Sequence, residues 1–199
     1  MTVPENYRII ETFVEPGSNV LDLGCGNGDL LAYLVDRRKI KPTGIEISMA
    51  GVLSCVSKGL MVYQGDIDEG LKDYSDNYFD FVCLNSTLEY VHNASLVLKE
   101  MVRVGRKAII SITNYSSLSG RLRFLFRGKL FGNQLLNGNS GDSPIFSIIS
   151  FEDFKEFCNL NGYKIEGEIH TKSLPGFLLT LYPTLLSEQA IFLFSKESS

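Results

Sequence analysis

Tryptophan is absent from this 199-residue chain, which holds only two histidines and four cysteines. Cys25, Cys55, Cys83 and Cys158 form no C-x-x-C pair and none of the spacings that hold zinc. No metal centre is therefore expected, and the thiols read as free and buried rather than as disulfides. Cationic charge is scarce too: 19 Lys and Arg face 23 Asp and Glu, a net charge of −4, so no nucleic-acid partner held by overall charge is expected. No basic–apolar leader opens the chain, and its most apolar stretch, Leu174 to Phe194, is interrupted by Pro175, Pro183, Glu188 and Gln189. That stretch reads as a loop plus a final strand. A membrane-spanning helix needs about 20 predominantly apolar residues, so no membrane span is expected and a cytoplasmic location is the default. What remains is an ordinary globular composition, 44% hydrophobic and 21% charged, suited to a single domain over residues 1–199.

The information that is present is concentrated in Val20-Leu21-Asp22-Leu23-Gly24-Cys25-Gly26-Asn27-Gly28. An apolar strand leads into a G-x-G-x-G turn and then into a helix-forming segment, Asp29 to Arg38. Glycines tolerate positive φ and let backbone approach a ligand without a Cβ in the way. The helix start adds free N–H groups and a positive dipole end. Asp22, at the strand end, is placed to accept from a ligand ammonium or hydroxyl. The dinucleotide fingerprint has a small third residue; here that position is Asp29, which points to a different nucleotide-type cofactor. A tight strand–helix turn with no ligand is the plain structural alternative.

Strands and helices alternate around this turn. Strands are expected at Val20–Leu23, Thr43–Ile47, Leu60–Gln64, Phe79–Asn85 and Lys107–Thr113, with two closing strands at Tyr163–Ile169 and Ala190–Ser195. Helices are expected over Asn27–Arg38, from a Ser48 cap to Lys58, from an Asn93 cap to Val104, and over Phe151–Leu160 behind Ser150. This order implies an α/β fold: a doubly wound, mostly parallel seven-stranded sheet with helices on both faces. An insert at about 115–149 interrupts it. In its first half Leu118, Leu122, Leu125 and Phe126 share a helical face, with Arg121, Arg123 and Arg127 off it. That half is expected to be a cover helix with a solvated basic face; the alternative is a lid whose arginines meet an anionic substrate or a partner protein. The second half, Gly132 to Pro144, reads as a mobile loop.

Polar chemistry recurs beyond the strand ends, where open α/β sheets bind ligands. Glu46-Ile47 ends the second strand, and an acidic residue there is placed to accept from both ribose hydroxyls. Gly65-Asp66-Ile67 ends the third, with Asp66 suited to an adenine amino group and Ile67 to the ring; Asn85-Ser86 ends the fourth. Taken singly, Glu46 or Asp66 is more often a helix cap or a solvated carboxylate. Together the strand ends define a candidate cofactor site of Asp22, Gly24, Cys25, Gly26, Glu46, Ile47, Gly65, Asp66, Ile67 and Asn85. The D-x-G-x-G-x-G pattern resembles motif I of the class I S-adenosylmethionine (SAM) methyltransferases. That resemblance implies SAM as cofactor and S-adenosylhomocysteine as product.

Longer segments resemble the MetW methionine-biosynthesis family over nearly the whole chain. They are G-I-E-I at 44–47, G-V-L-S-C-V-S-K-G-L at 51–60, Q-G-D-I-D-E-G-L at 64–71, V-L-K-E-M-V-R-V-G-R-K-A-I-I-S at 97–111, Arg121–Lys129, and Tyr182-Pro183 through Leu193. The resemblance implies a class I methyltransferase fold and a role linked to homoserine O-acyltransferase. The chain departs from it in two places. Where the family tends to read T-L-Q-A-T, Thr87-Leu88-Glu89-Tyr90-Val91 stands here, closer to the L-E-H-V of small-molecule methyltransferases. Where the family carries an Asn and a His in D-T-P-N-I-H, Ile145 and Ser147 stand here.

Three functions are compatible with these features. One is SAM-dependent methyl transfer to a small-molecule acceptor, and another is a non-catalytic SAM-binding partner of a homoserine O-acyltransferase. The third is a nicotinamide-dependent oxidoreductase, against which Asp29 and Asp66 weigh. Glu89, Tyr90 and His92 are candidates for a general base. Each has an ordinary reading as a solvated or packing residue, so no catalytic residue is assigned.

Overall fold

The computed structural model describes residues 3–128, 147–171 and 183–197. Strands β1 (Asn19–Leu23), β2 (Lys41–Glu46), β3 (Val62–Gln64), β4 (Phe79–Leu84), β5 (Gly105–Thr113), β6 (Tyr163–His170) and β7 (Gln189–Lys196) form one sheet in the order β3-β2-β1-β4-β5-β7-β6. The first five pair in parallel, while β7 runs antiparallel to both β5 and β6. This is the mostly parallel seven-stranded sheet expected. Around it lie α1 (Glu5–Phe13), α2 (Asp29–Arg38), α3 (Met49–Ser57), α4 (Ala94–Val104), α5 (Leu118–Arg127), α6 (Phe151–Leu160) and a single turn, α7 (Pro183–Leu186).

Side chains alternate along a strand, so each central strand feeds two cores. Leu21, Val82, Leu84, Ile110 and Phe192 face one side, where Val97, Met101, Phe151 and Phe154 of α4 and α6 cover them. Val20, Phe81, Cys83, Ile109 and Ile191 face the other, against Ile10, Leu31, Leu34 and Cys55 of α1, α2 and α3. Burial on both faces explains why β4 reads as one apolar run, Phe79-Asp80-Phe81-Val82-Cys83-Leu84. All four cysteines are buried and free.

Several boundaries differ from expectation for local reasons. The helix expected from Asn27 starts at Asp29, because Gly28 takes a φ of +76° and keeps Asn27 in the turn. Ser48 precedes α3 without a side-chain cap; its backbone N–H donates to Glu46 Oε1 at 2.8 Å instead. Asn93 and Ser150 do cap α4 and α6, the latter through a reciprocal capping box with Asp153. Helix α1 carries no motif, and no element was expected there.

The first half of the insert forms α5, capped by Ser117. None of its side chains is buried, and Leu125 and Phe126 are 73% and 78% exposed. The expected helix forms, and among the described residues its apolar face meets no core. The loop expected at Gly132 to Pro144 lies outside the described residues, as do 174–182 of the stretch Leu174 to Phe194. No helix among the described residues is long and apolar enough to cross a membrane. Among the same residues no cluster suited to a metal ion occurs.

Candidate cofactor site

The strand order reverses between β1 and β4, and at that switch point a cleft of about 510 Å³ opens beyond the carboxyl ends of the strands. Of the residues expected to bind a cofactor, Asp22, Gly24, Cys25, Gly26, Glu46, Ile47, Gly65, Ile67 and Asn85 all line it. Asp66 does not. It is exposed in an adjoining groove, where its Oδ1 accepts from the Asp68 N–H at 2.9 Å and caps a short helical turn.

The glycine turn is held in shape by its neighbours. Gly24, Gly26 and Gly28 all have positive φ, of +67°, +54° and +76°. The N–H groups of Gly24 and Cys25 both donate to the Ile45 carbonyl, at 2.8 and 3.1 Å, fastening the turn to β2. A Cβ on Gly24 would lie 2.4 Å from Thr87 Cγ2, so the turn touches the loop that follows β4. Cys25 points away from solvent, its Sγ 3.8 Å from that of Cys55. Burial pushes the Cys25 thiol well up from its ordinary pKa and raises that of Cys55, which leaves them poor nucleophiles.

Two carboxylates dominate the electrostatics. Glu46 is 8% exposed; its Oε2 accepts from the Gly26 N–H and its Oε1 from the Ser48 N–H, each at 2.8 Å. This fixes the carboxylate while leaving lone pairs for a ligand in the cleft. A Cβ on Gly51 would come within 2.8 Å of Glu46 Cγ, so the clamp depends on a glycine one turn into α3. Asp22 is 3% exposed, and its carboxyl group has no hydrogen-bond partner among the described residues. Burial first, and the charge of Glu46 second, push its pKa up to about 8. An anionic pocket with an unpartnered carboxyl group is a site for a cationic ligand group.

Other lining residues carried no recognisable signal. Asn6 and Tyr7 come from α1, and Asn6 Nδ2 donates to Asn85 Oδ1 at 2.9 Å, tying that helix across the cleft to the tip of β4. The helical spacing of the buried Ile9 and Ile10 with Val14 was the available clue. Ser86 holds a φ of +56°, costly for a residue with a Cβ. Its N–H donates to Ser111 Oγ at 2.7 Å, and its Oγ accepts from Gln189 Nε2 at 3.2 Å. Backbone held in such a region is typical of functional loops.

The three candidate bases separate. Tyr90 lines the cleft, whereas Glu89 is buried and does not line it. His92 has a side chain 64% exposed and lies beside Asp68, with Nδ1 to Oδ2 at 3.2 Å.

The sequence profile of the family described as Methionine biosynthesis protein MetW matches residues 4–194. The chain belongs to the MetW family. A relative from Rhodopirellula baltica, the bifunctional methionine biosynthesis protein MetXA/MetW, is 40% identical over 137 residues, 65% of this chain. This MetW chain matches only 22% of the length of that relative. A demethylmenaquinone methyltransferase from Lactobacillus johnsonii is 29% identical over 174 residues, covering 76% of this chain and 70% of that protein. Among solved structures, a SAM-dependent methyltransferase from Methanosarcina mazei superimposes with a TM-score of 0.70 at 14% identity, covering 100% of both chains. Another, from Archaeoglobus fulgidus, reaches 0.66 at 19% identity, over 96% of this chain and 91% of that one. These likenesses establish the class I methyltransferase fold for this MetW chain.

Proposed function

We propose that the β1–β4 cleft binds SAM and that the chain transfers its methyl group to a small-molecule acceptor. The observation that carries this reading is Asp22, a nearly fully buried carboxyl group that faces the cleft and has no partner among the described residues. The ammonium group of SAM supplies the missing charge, and Glu46 supplies a fixed acceptor for the ribose hydroxyls. Ile47, 64% exposed at the lip, and Ile67 offer apolar surface to the adenine. Bound there, SAM contributes an activated methyl group. The protein then has to place an acceptor in line with it and exclude water.

Either SAM or S-adenosylhomocysteine at about 100 times its Kd should stabilise the fold by roughly 2.7 kcal/mol. A thermal-shift titration with no concentration-dependent rise for either ligand would remove the cofactor assignment. Methyl transfer itself is tested by mass spectrometry of acceptor mixtures incubated with labelled SAM.

A second reading is a non-catalytic SAM-binding partner of a homoserine O-acyltransferase. One observation favours it: the name of the Rhodopirellula baltica relative joins MetXA to MetW. Apolar surface for such a partner is present on α3, where Met49, Leu53 and Val56 follow helical spacing and are 53%, 61% and 58% exposed. Leu53→Glu should abolish co-purification with the acyltransferase while leaving SAM affinity intact, as judged by pull-down and calorimetry. Retained co-purification would free this face of any such role.

A further inference from the structure

No aspartate or glutamate stands between Glu100 and Asp142, although the chain as a whole carries a net charge of −4. Helix α5 lies inside this stretch and holds Arg121, Arg123 and Arg127 with no acidic residue of its own. Elsewhere Arg38, Lys58, Arg103, Lys107 and Lys155 each pair with a carboxylate. Among the described residues the α5 arginines meet none. Arg121 Nε donates to the Ser116 carbonyl at 2.7 Å, whereas the guanidinium groups of Arg123 and Arg127 make no hydrogen bond among the described residues.

The helix also has a defined inner and outer side. Gly120, Arg121 and Phe124 turn toward the body, lining a groove with Tyr115, Ile148 and Ile149. A Cβ on Gly120 would lie 2.6 Å from the Tyr115 carbonyl oxygen, so the backbone is close on that side. At about 3.6 residues per turn, Leu118, Leu122, Leu125 and Phe126 form a stripe turned away from the groove. Their exposure rises along the helix from 41% at Leu118 to 78% at Phe126. Arg121 borders this stripe on one edge, and Arg123 and Arg127 border it on the other. A convex apolar ridge between guanidinium groups suits a fluid anionic surface. Its apolar side chains enter the boundary between headgroups and acyl chains, while the long arginine stems let the guanidinium groups reach phosphates. A protein partner would need a concave apolar groove with carboxylates on both rims, whereas an anionic leaflet offers both chemistries everywhere.

We propose that α5 docks the protein on an anionic lipid bilayer, with Leu125 and Phe126 entering between the headgroups and Arg123 and Arg127 binding lipid phosphates. This goes beyond the methyl-transfer reading and does not depend on it. The test is co-sedimentation of the full chain with phosphatidylcholine vesicles, with and without phosphatidylglycerol, at low and high salt. Binding should be about tenfold or more stronger on the anionic vesicles, and high salt should remove most of that preference. Arg123→Gln combined with Arg127→Gln should erase the preference, because the rest of the chain is net negative. Phe126→Asp, at an exposed position and shown to be folded by circular dichroism, should abolish binding. Since the chain has no tryptophan, Phe126→Trp supplies a lone fluorescent reporter. Its emission should shift to the blue on anionic vesicles and not with soluble glycerol phosphate. No vesicle binding, equal binding to both compositions, binding that survives Phe126→Asp, or an unshifted Phe126→Trp overturns the proposal. Self-association that Phe126→Asp abolishes, without vesicle binding, likewise overturns it and assigns the ridge to a second copy of the chain.

Discussion

Glu46→Ala should lower the affinity for SAM and S-adenosylhomocysteine by about 10- to 100-fold, because hydrogen bonds to a charged group contribute about 1.5–3 kcal/mol. The size of the effect follows from how the carboxylate is held. Two backbone N–H groups and the bare Cα of Gly51 fix it at the tip of β2, so little ordering remains to be done when a ligand arrives. Glu46→Gln keeps the shape but replaces one acceptor oxygen with a donor, which then faces either Gly26 N–H or Ser48 N–H. It should therefore recover only part of the loss. Circular dichroism establishes that both variants fold, and calorimetry reads the affinities. Unchanged affinity in a folded Glu46→Ala would show that the ribose contacts lie elsewhere.

The parts of this site that could be read in the sequence are those where one residue type answers one local demand. Positive φ at the turn calls for glycine, and β1, β2 and β4 end abruptly in polar residues after apolar runs. Asp22, Glu46 and Asn85 therefore stand out by position alone. Asp66 satisfied the same rule and was still misplaced relative to the cleft, because a carboxylate two residues ahead of a free N–H caps the turn with equal ease. Asn6 and Tyr7 were invisible for the opposite reason. They reach the cleft through the packing of α1 on α2 and β7, a tertiary contact that no local pattern encodes. Glu89 was legible as a residue near the chemistry but not as a buried one with an unpartnered oxygen, since burial is decided by tertiary packing that no local pattern encodes.

The same distinction governs the behaviour of Asp22 with pH. In the unfolded chain an aspartate loses its proton near its ordinary value of 3.8, whereas in the fold Asp22 holds it to about 8. Between those limits the native state binds the extra proton, so the contribution of Asp22 to stability falls as pH rises, by at most about 1.4 kcal/mol per pH unit. Below the lower limit both states are protonated and there is no penalty; above the upper limit the penalty is complete and constant. Asp22→Asn cannot ionise. It should match wild type only in strong acid, below the ordinary aspartate value, and exceed it increasingly as pH rises, by several kcal/mol once Asp22 is ionised. Urea titrations of both proteins from about pH 5 to about pH 9 measure this, since the other titrating groups cancel in the difference. A cationic ligand group beside Asp22 has the opposite effect, stabilising the carboxylate and expelling its proton. Binding of SAM to wild type should therefore release protons near neutral pH, detectable as calorimetric heats that depend on the buffer, and Asp22→Asn should bind weakly without that release. Parallel stability curves for the two proteins would mean that Asp22 ionises freely in the fold, and that the cleft holds no stored demand for a cation.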